Sequence, residues 1–433
     1  MAYYWGGCNL SKNDINRLKD NKTTGNTSEY KHYNADNFYI YYSENNIKVS
    51  NSDSESFLLM NGYIYNPYMS NYSGPKNFSE LDKYLRTNDN LNDIYGAFTI
   101  CFKNKNSVLL ARDYPGIFSV YYVLDCDKLY FSNDYNRLRF AGFKNIRYLK
   151  PGSSIEYHLK NKNIKQIDHY NPILPTLHND PIGQFDDMLF NVTKSLFIAT
   201  SNFDKKVATL LSGGVDSSLI TYYLSQICSD VCAFTIDGRD NVFAQEVSNL
   251  LNIEHKFIII NDEQWKSGSN IFPRKIYNDG FYELANSLFL PNYFLLQEIK
   301  KYPINLAFSG AGSDELFASY SRHLMYMRDI SYAARKIVDD CHIYYLETVE
   351  LASKLSNNPI CLMPFFAKEI INFGLALPDK FKIHNSMEKW IVRKVAEKYL
   401  PKTTSWREAA PLQYSTNSFK KINGNSYYES YYC

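Results

Sequence analysis

Across 433 residues the chain lacks any excess of charge: 47 Lys and Arg stand against 45 Asp and Glu, leaving +2 at pH 7. Near-neutrality removes the basic footprint expected of a nucleic-acid binder. Long apolar runs are missing too. The richest stretch, residues 281–296, is interrupted by Asn286, Pro291 and Asn292, and nothing approaches the roughly 18 apolar residues of a membrane span. Residues 1–7 show no basic start followed by an apolar stretch, so no secretory signal is visible and a cytoplasmic protein is expected. Metal-type cysteine spacing is absent as well. Cys228 and Cys232 are the nearest of the 8 cysteines, with no second pair to complete a zinc site, which leaves packing cysteines in a reducing compartment.

What the chain does contain is ordinary for a soluble globular protein: 45% hydrophobic and 21% charged residues. Its length suggests two or three domains. The 38 tyrosines, with many Asn, Ile and Lys, read as the codon composition of an AT-rich genome. Residues 57–60, 97–102 and 107–111 are apolar runs of strand length, whereas the polar stretch 20–37 reads as a loop. Three prolines mark residues 170–181 as a linker. Beyond it, helical spacing over 182–199 places Phe185, Met188, Leu189, Val192 and Leu196 on one face. Strand patterns at 206–211, 231–236 and 255–260 then alternate with helical ones at 217–225 and 242–251. That alternation implies a parallel sheet with crossover connections. After residue 283 the pattern is mostly helical.

Between the first of those strands and its helix lies Leu210-Leu211-Ser212-Gly213-Gly214-Val215-Asp216-Ser217-Ser218. Glycines allow the main chain to approach a ligand closely, and the N–H groups of a helix start favour an anion. Ser212, Ser217 and Ser218 add hydroxyl donors. Asp216 would repel a phosphate unless a cation stood between them, and Mg²⁺ suits such oxygen ligands. No Gly-Lys-Ser/Thr follows, so the loop is not a Walker A motif. A second segment, Phe308-Ser309-Gly310-Ala311-Gly312-Ser313-Asp314-Glu315-Leu316-Phe317, also follows an apolar strand and opens a helix. Asp216 and Asp314 would together hold the metal against a leaving pyrophosphate.

The first loop resembles the pyrophosphate-binding loop of ATP pyrophosphatases, and the two segments together resemble the asparagine synthetase superfamily. The likeness continues in Met60-Asn61-Gly62-Tyr63-Ile64-Tyr65-Asn66, in Gly96-Ala97-Phe98 and in Ala111-Arg112-Asp113-Tyr114-Pro115-Gly116-Ile117. It implies an α/β protein of two parts. Residues 1–170 would form an N-terminal nucleophile hydrolase-like αββα sandwich related to class II glutamine amidotransferases. Residues 171–181 would link it to an ATP-pyrophosphatase domain, 182–433, a parallel sheet with a helical extension. Nucleotide contacts are implied for Leu210, Ser212, Gly213, Gly214, Asp216, Ser217, Ser218, Ile236, Ser309, Gly310 and Gly312.

The departures from the family shape the functional expectation. A working glutaminase would begin with cysteine after loss of the initiator Met; here the residue is Ala2, and Cys8 lies too far in. Tyr95 stands where a carboxylate is expected before Gly96. Ala311 replaces the Glu, Tyr or His usual between the second motif's glycines, and Ala409 replaces the catalytic lysine. Glu350, in Val349-Glu350-Leu351-Ala352, resembles the general base of the β-lactam-forming branch. Lys389, in Lys389-Trp390-Ile391-Val392-Arg393, resembles the lysine that contacts ATP phosphates. Arg407 or Lys402 could substitute at Ala409. The leading expectation is an ATP- and Mg²⁺-dependent ligase of specialised metabolism. It would adenylate the carboxylate of a small molecule or peptide and join it to a substrate amine without hydrolysing glutamine. A synthetase using ammonia or a sulfur donor, and a degenerate scaffold within a biosynthetic complex, are the alternatives. No nucleic-acid or membrane partner is expected, and a homodimer is allowed.

Overall fold

The computed structural model describes residues 3–19, 30–43, 47–53, 56–67, 72–88, 91–169, 174–201, 206–268, 270–271, 279–320, 346–356, 359–408 and 416. The chain divides into two compact units, residues 1–66 with 71–171, and residues 67–70 with 172–433.

The first unit begins with strand β1 (Tyr4–Cys8), helix α1 (Lys12–Lys19), and strands β2 (Tyr30–Ala35), β3 (Phe38–Ser43), β4 (Ile47–Asp53) and β5 (Ser56–Ile64). Helix α2 (Phe78–Thr87) leads into β6 (Gly96–Lys103), β7 (Ser107–Arg112), β8 (Tyr121–Asp125) and β9 (Lys128–Ser132). Helix α3 (Tyr135–Phe140), β10 (Arg147–Tyr148), β11 (Ser153–His158) and β12 (Ile164–Asp168) complete it. Two six-stranded sheets result, ordered β10-β8-β9-β1-β3-β2 and β12-β11-β7-β6-β5-β4. Period-two alternation decides what each face buries. Phe57, Leu59, Cys101, Leu129 and Phe131 enter the core between the sheets. Leu58, Met60, Ile100 and Phe102 pack outward with Leu81 and Leu85 of α2, and Trp5 and Tyr130 pack with Ile15 and Leu18 of α1 and Leu138 of α3. The layers are therefore helix, sheet, sheet, helix. Strands buried on both faces read as unbroken apolar runs, which is how 57–60 and 97–102 appear in the sequence.

The stretch 20–37 is not all loop. Tyr30–Ala35 pairs antiparallel with β3 at the sheet edge; one neighbour and a largely solvated face let a strand stay polar.

The second unit opens with helix α4 (Pro181–Thr200), whose first turn is capped by Asp180 accepting from the Gly183 N–H at 3.0 Å. Phe185, Leu189, Val192 and Leu196 are buried along it. Strand β13 (Lys206–Leu210), helix α5 (Val215–Ile227), strand β14 (Asp230–Ile236), helix α6 (Asn241–Leu250) and strand β15 (Glu254–Ile258) follow in alternation. Helices α7 (Asp262–Gly268) and α8 (Asp279–Ile299) then carry the chain to β16 (Leu306–Ser309), α9 (Ser313–Leu316) and later β17 (Ile360–Leu362). All pairings are parallel, and the strand order is β15-β14-β13-β16-β17. The order reverses between β13 and β16, and ligands of open α/β sheets bind beyond the strand ends at such a switch point. Both glycine segments leave those two strands there. β17 is a strand that the helical pattern of the C-terminal half conceals. No described helix is long and apolar enough to cross a membrane.

Candidate functional site

The glycines bring the two loops into contact. A Cβ on Gly310 would lie 2.4 Å from the Ser217 amide nitrogen and 2.7 Å from the Asp216 carbonyl carbon, so only glycine lets the second loop rest on the start of α5. Gly213 turns at φ +74°, with a hypothetical Cβ 2.7 Å from the Ala244 amide nitrogen. At Gly214 the only neighbour of a Cβ would be Ser212 Oγ at 3.3 Å, which leaves its other side open.

Within the first loop the hydroxyls stiffen the turn. Ser217 Oγ accepts from the Ser212 N–H at 3.1 Å and lies 3.0 Å from Ser212 Oγ. Thr235 donates its hydroxyl to the Leu211 carbonyl and also meets His255 Nε2 at 2.7 Å. Burial depresses the His255 imidazole to about 4, and Ser248 Oγ sits 2.8 Å from its other nitrogen. On the opposite side of the turn, Arg407 Nε donates to the Gly213 carbonyl at 3.0 Å. Its Nη1 pairs with Asp240 at 2.9 Å, and the guanidinium lies 4.5 Å from the Phe243 ring centre. With carbonyls of Leu211 and Gly213 engaged from the protein side, the loop is held in one backbone conformation.

The charged centre joins three residues from distant parts of the sequence. Lys389 Nζ lies 2.7 Å from Asp216 Oδ2 and 2.6 Å from Asp314 Oδ1, with its side chain only 1% exposed. Burial alone would lower its pKa, but the two carboxylates outweigh it and hold the ammonium above its ordinary value. Lys389 adopts φ +54°, a left-handed conformation that costs a non-glycine residue about 1–3 kcal/mol. Its N–H donates to the Phe317 carbonyl at 3.1 Å, and its own carbonyl accepts from Arg393 N–H. Backbone and side chain thus both fasten it to the second loop. Glu315, beside Asp314, is buried; burial, then the Asp314 charge, push its carboxyl up to about 7, and Tyr320 donates to it at 2.9 Å.

Three buried polar atoms of these loops, Asp216 Oδ1, Ser218 Oγ and Ser313 Oγ, have no hydrogen-bond partner among the described residues. Such groups are rare unless a ligand or water serves them. Asp216 and Asp314 could share a divalent cation, whose remaining ligands would have to come from phosphate oxygens and water, as Mg²⁺ usually arranges. Among the described residues no group of three or more His, Cys, Asp or Glu could hold a metal by itself.

The other residues singled out from sequence are placed as follows. Leu210 and Ile236 end the neighbouring strands β13 and β14, and Ser309 ends β16. Gly312 turns at φ +104° into α9. Glu350 is on the helix Glu347–Leu355, paired with Lys354 at 2.7 Å. Ala2 and Ala409 lie outside the described residues. Sequence reasoning missed Glu315, Asp240, Thr235 and His255; only Glu315 carried a signal, as the second acid of the Asp314-Glu315 pair. In the first unit, Gly62 turns at φ +114°, and Asn61 Nδ2 is buried with no partner among the described residues. Cys8 is fully buried between the sheets, where burial pushes its thiol far up.

A parallel sheet with two glycine loops meeting at its switch point, and an Asp–Lys–Asp array across them, is an open α/β architecture with the elements that could take a polyphosphate. The asparagine synthase family model matches residues 199–356 and 362–425, just over half of the chain, and the chain belongs to that family. It is 24% identical to a putative glutamine-hydrolysing asparagine synthetase 1 of Methanocaldococcus jannaschii, over 86% of this chain and 80% of that one. Asparagine synthetase B of Escherichia coli is also 24% identical, over 73% of this chain. The chain spans only 60% of that relative's length and 62% of its Sandersonia aurantiaca counterpart. Solved structures that resemble it include a Campylobacter jejuni NH3-dependent NAD synthetase, with 14% identity, a TM-score of 0.26, and 38% of this chain and 76% of that one covered. At that score the likeness carries no weight for fold or function.

Proposed function

We propose that the protein is an ATP-dependent carbon–nitrogen ligase that adenylates a substrate carboxylate and passes the acyl group to an amine. The observation that carries this reading is the meeting of both glycine loops at the switch point, with Asp216, Lys389 and Asp314 in one charged array. The loop N–H groups and the start of α5 are suited to polyphosphate. A carboxylate oxygen of the substrate would attack the α-phosphorus, forming the acyl-adenylate and breaking the bond to pyrophosphate. The amine nitrogen then adds to the acyl carbon, AMP leaves, and the nitrogen gives up a proton. Lys389 would neutralise charge gathering on the departing pyrophosphate. Mg²⁺ at Asp216 and Asp314 would supply further neutralisation. Glu350 is the candidate to accept the amine proton.

In this reading glutamine supplies no nitrogen. The support is a Cys8 thiol that is buried and pushed away from the reactive thiolate. The amine then comes with a substrate, small molecule or peptide, as suits specialised metabolism. The test is substrate-dependent exchange of labelled pyrophosphate into ATP. Exchange should appear with the correct carboxylate and fall by about a thousandfold or more in Asp216→Ala, the scale of losing a main electrostatic contact. Exchange that survives the substitution defeats the assignment.

A further inference from the structure

We infer that Lys389 is the resident counter-ion of the Asp216–Asp314 pair and makes divalent-cation entry conditional on the polyphosphate: metal alone is refused. This rests on the adenylating reading of the same site and adds an order of binding to it.

Three observations lead there. First, the ammonium is built in. It touches both carboxylates, at 2.7 and 2.6 Å, from a side chain 1% exposed. The strained φ of +54° and the hydrogen bond from its N–H to Phe317 keep the stem in place, unlike a surface lysine that could swing aside. Second, charge disfavours a bare metal. Two carboxylates and one ammonium sum to a single negative charge, and a divalent cation would sit against a buried positive group in a poorly screened site. A nucleotide changes this, since its phosphates bring negative charge to both cations at once. Third, the ligands are too few. Among the described residues Asp216 has one oxygen without a partner, Oδ1, while Oδ2 is held by Lys389. No described cluster of three metal-type side chains completes a shell. The phosphate oxygens must therefore arrive for the cation to be coordinated, and Lys389 need not leave when they do.

The experiment follows Mn²⁺ uptake by the full chain with electron paramagnetic resonance and calorimetry. Without nucleotide, the wild-type protein should bind Mn²⁺ only in the millimolar range or weaker. With saturating α,β-methylene-ATP it should take up one Mn²⁺ at submillimolar concentration. Lys389→Met, which removes the charge and keeps an unbranched stem one atom shorter, should bind nucleotide-free Mn²⁺ about tenfold more tightly or better, about 1.4 kcal/mol. One submillimolar Mn²⁺ on the nucleotide-free wild type, abolished in Asp216→Asn, overturns the inference. So does a folded Lys389→Met that gains no affinity. The wild-type comparison decides the matter even if that variant does not fold. If the analogue fails to bind at all, the adenylating reading itself falls; if nucleotide and Mn²⁺ bind independently, only the order does.

Discussion

At the scale of single residues, a guanidinium can serve a substrate or hold a turn, and the distances at Arg407 favour the turn. Its Nε reaches the Gly213 carbonyl, its Nη1 reaches Asp240, and its plane covers Phe243. A free cation replacing the family's catalytic lysine would not have its donors so committed. The contacts describe a positioning residue, so Arg407→Lys should weaken the grip on ATP more than the chemistry, because lysine cannot bridge two acceptors in a fixed plane. We expect the KM for ATP in pyrophosphate exchange to rise about tenfold while kcat changes little. A large fall in kcat with unchanged KM would instead return Arg407 to the reacting centre. The residue identities were legible in the sequence, because the loop and Asp314 are contiguous motifs. Their partnerships were not: Lys389 meets Asp216 across 173 positions, and Arg407 meets Gly213 across 194. No periodicity encodes such a contact.

At the scale of elements, the strand–turn–helix order of the second unit followed from its pattern, since β13 and β14 are short, mainly apolar runs between helices and β15, polar at its start, leads into the apolar residues 257–260. β2 and β17 were hidden for opposite reasons. An edge strand with polar faces looks like a loop, and the three residues Ile360–Leu362 are too short to show a period. The loop–loop contact was also invisible, because it depends on what a glycine lacks. Gly310→Ala would drive a methyl into the backbone of Asp216 and Ser217. We expect about 1–3 kcal/mol of destabilisation from the overpacking, read by urea unfolding, together with loss of nucleotide binding in calorimetry. Gly214→Ala is the control. Its φ of −77° suits any residue and only Ser212 Oγ is near, so unfolding should stay within about 0.5 kcal/mol of wild type. Equal stability of both variants would mean that the loops do not lean on each other.

At the scale of the whole molecule, the layered first unit is held together by contacts that belong to its own turns and strands. Arg112 and Asp113 show how. Arg112 donates to the carbonyls of Gly116, Phe118 and Leu149, while Asp113 accepts from the N–H groups of Phe98, Gly116, Ile117 and Phe118. Those contacts knit one turn to strands β6 and β7 and to Leu149 just beyond β10, and need no substrate. A motif can therefore serve folding whatever nucleophile accompanies it, which is why resemblance alone does not decide the nitrogen source. In the proposed reading Cys8 is no nucleophile, because burial among Tyr4, Phe38 and Leu129 holds its thiol well above its ordinary pKa. Incubation with amide-labelled glutamine, ATP and the carboxylate substrate should thus release no glutamate and leave the product unlabelled. Supplying the amine substrate should restore product formation. Labelled product that disappears in Cys8→Ala would show that a buried thiol had been recruited after all, and the first unit would then have to be read as a working glutaminase.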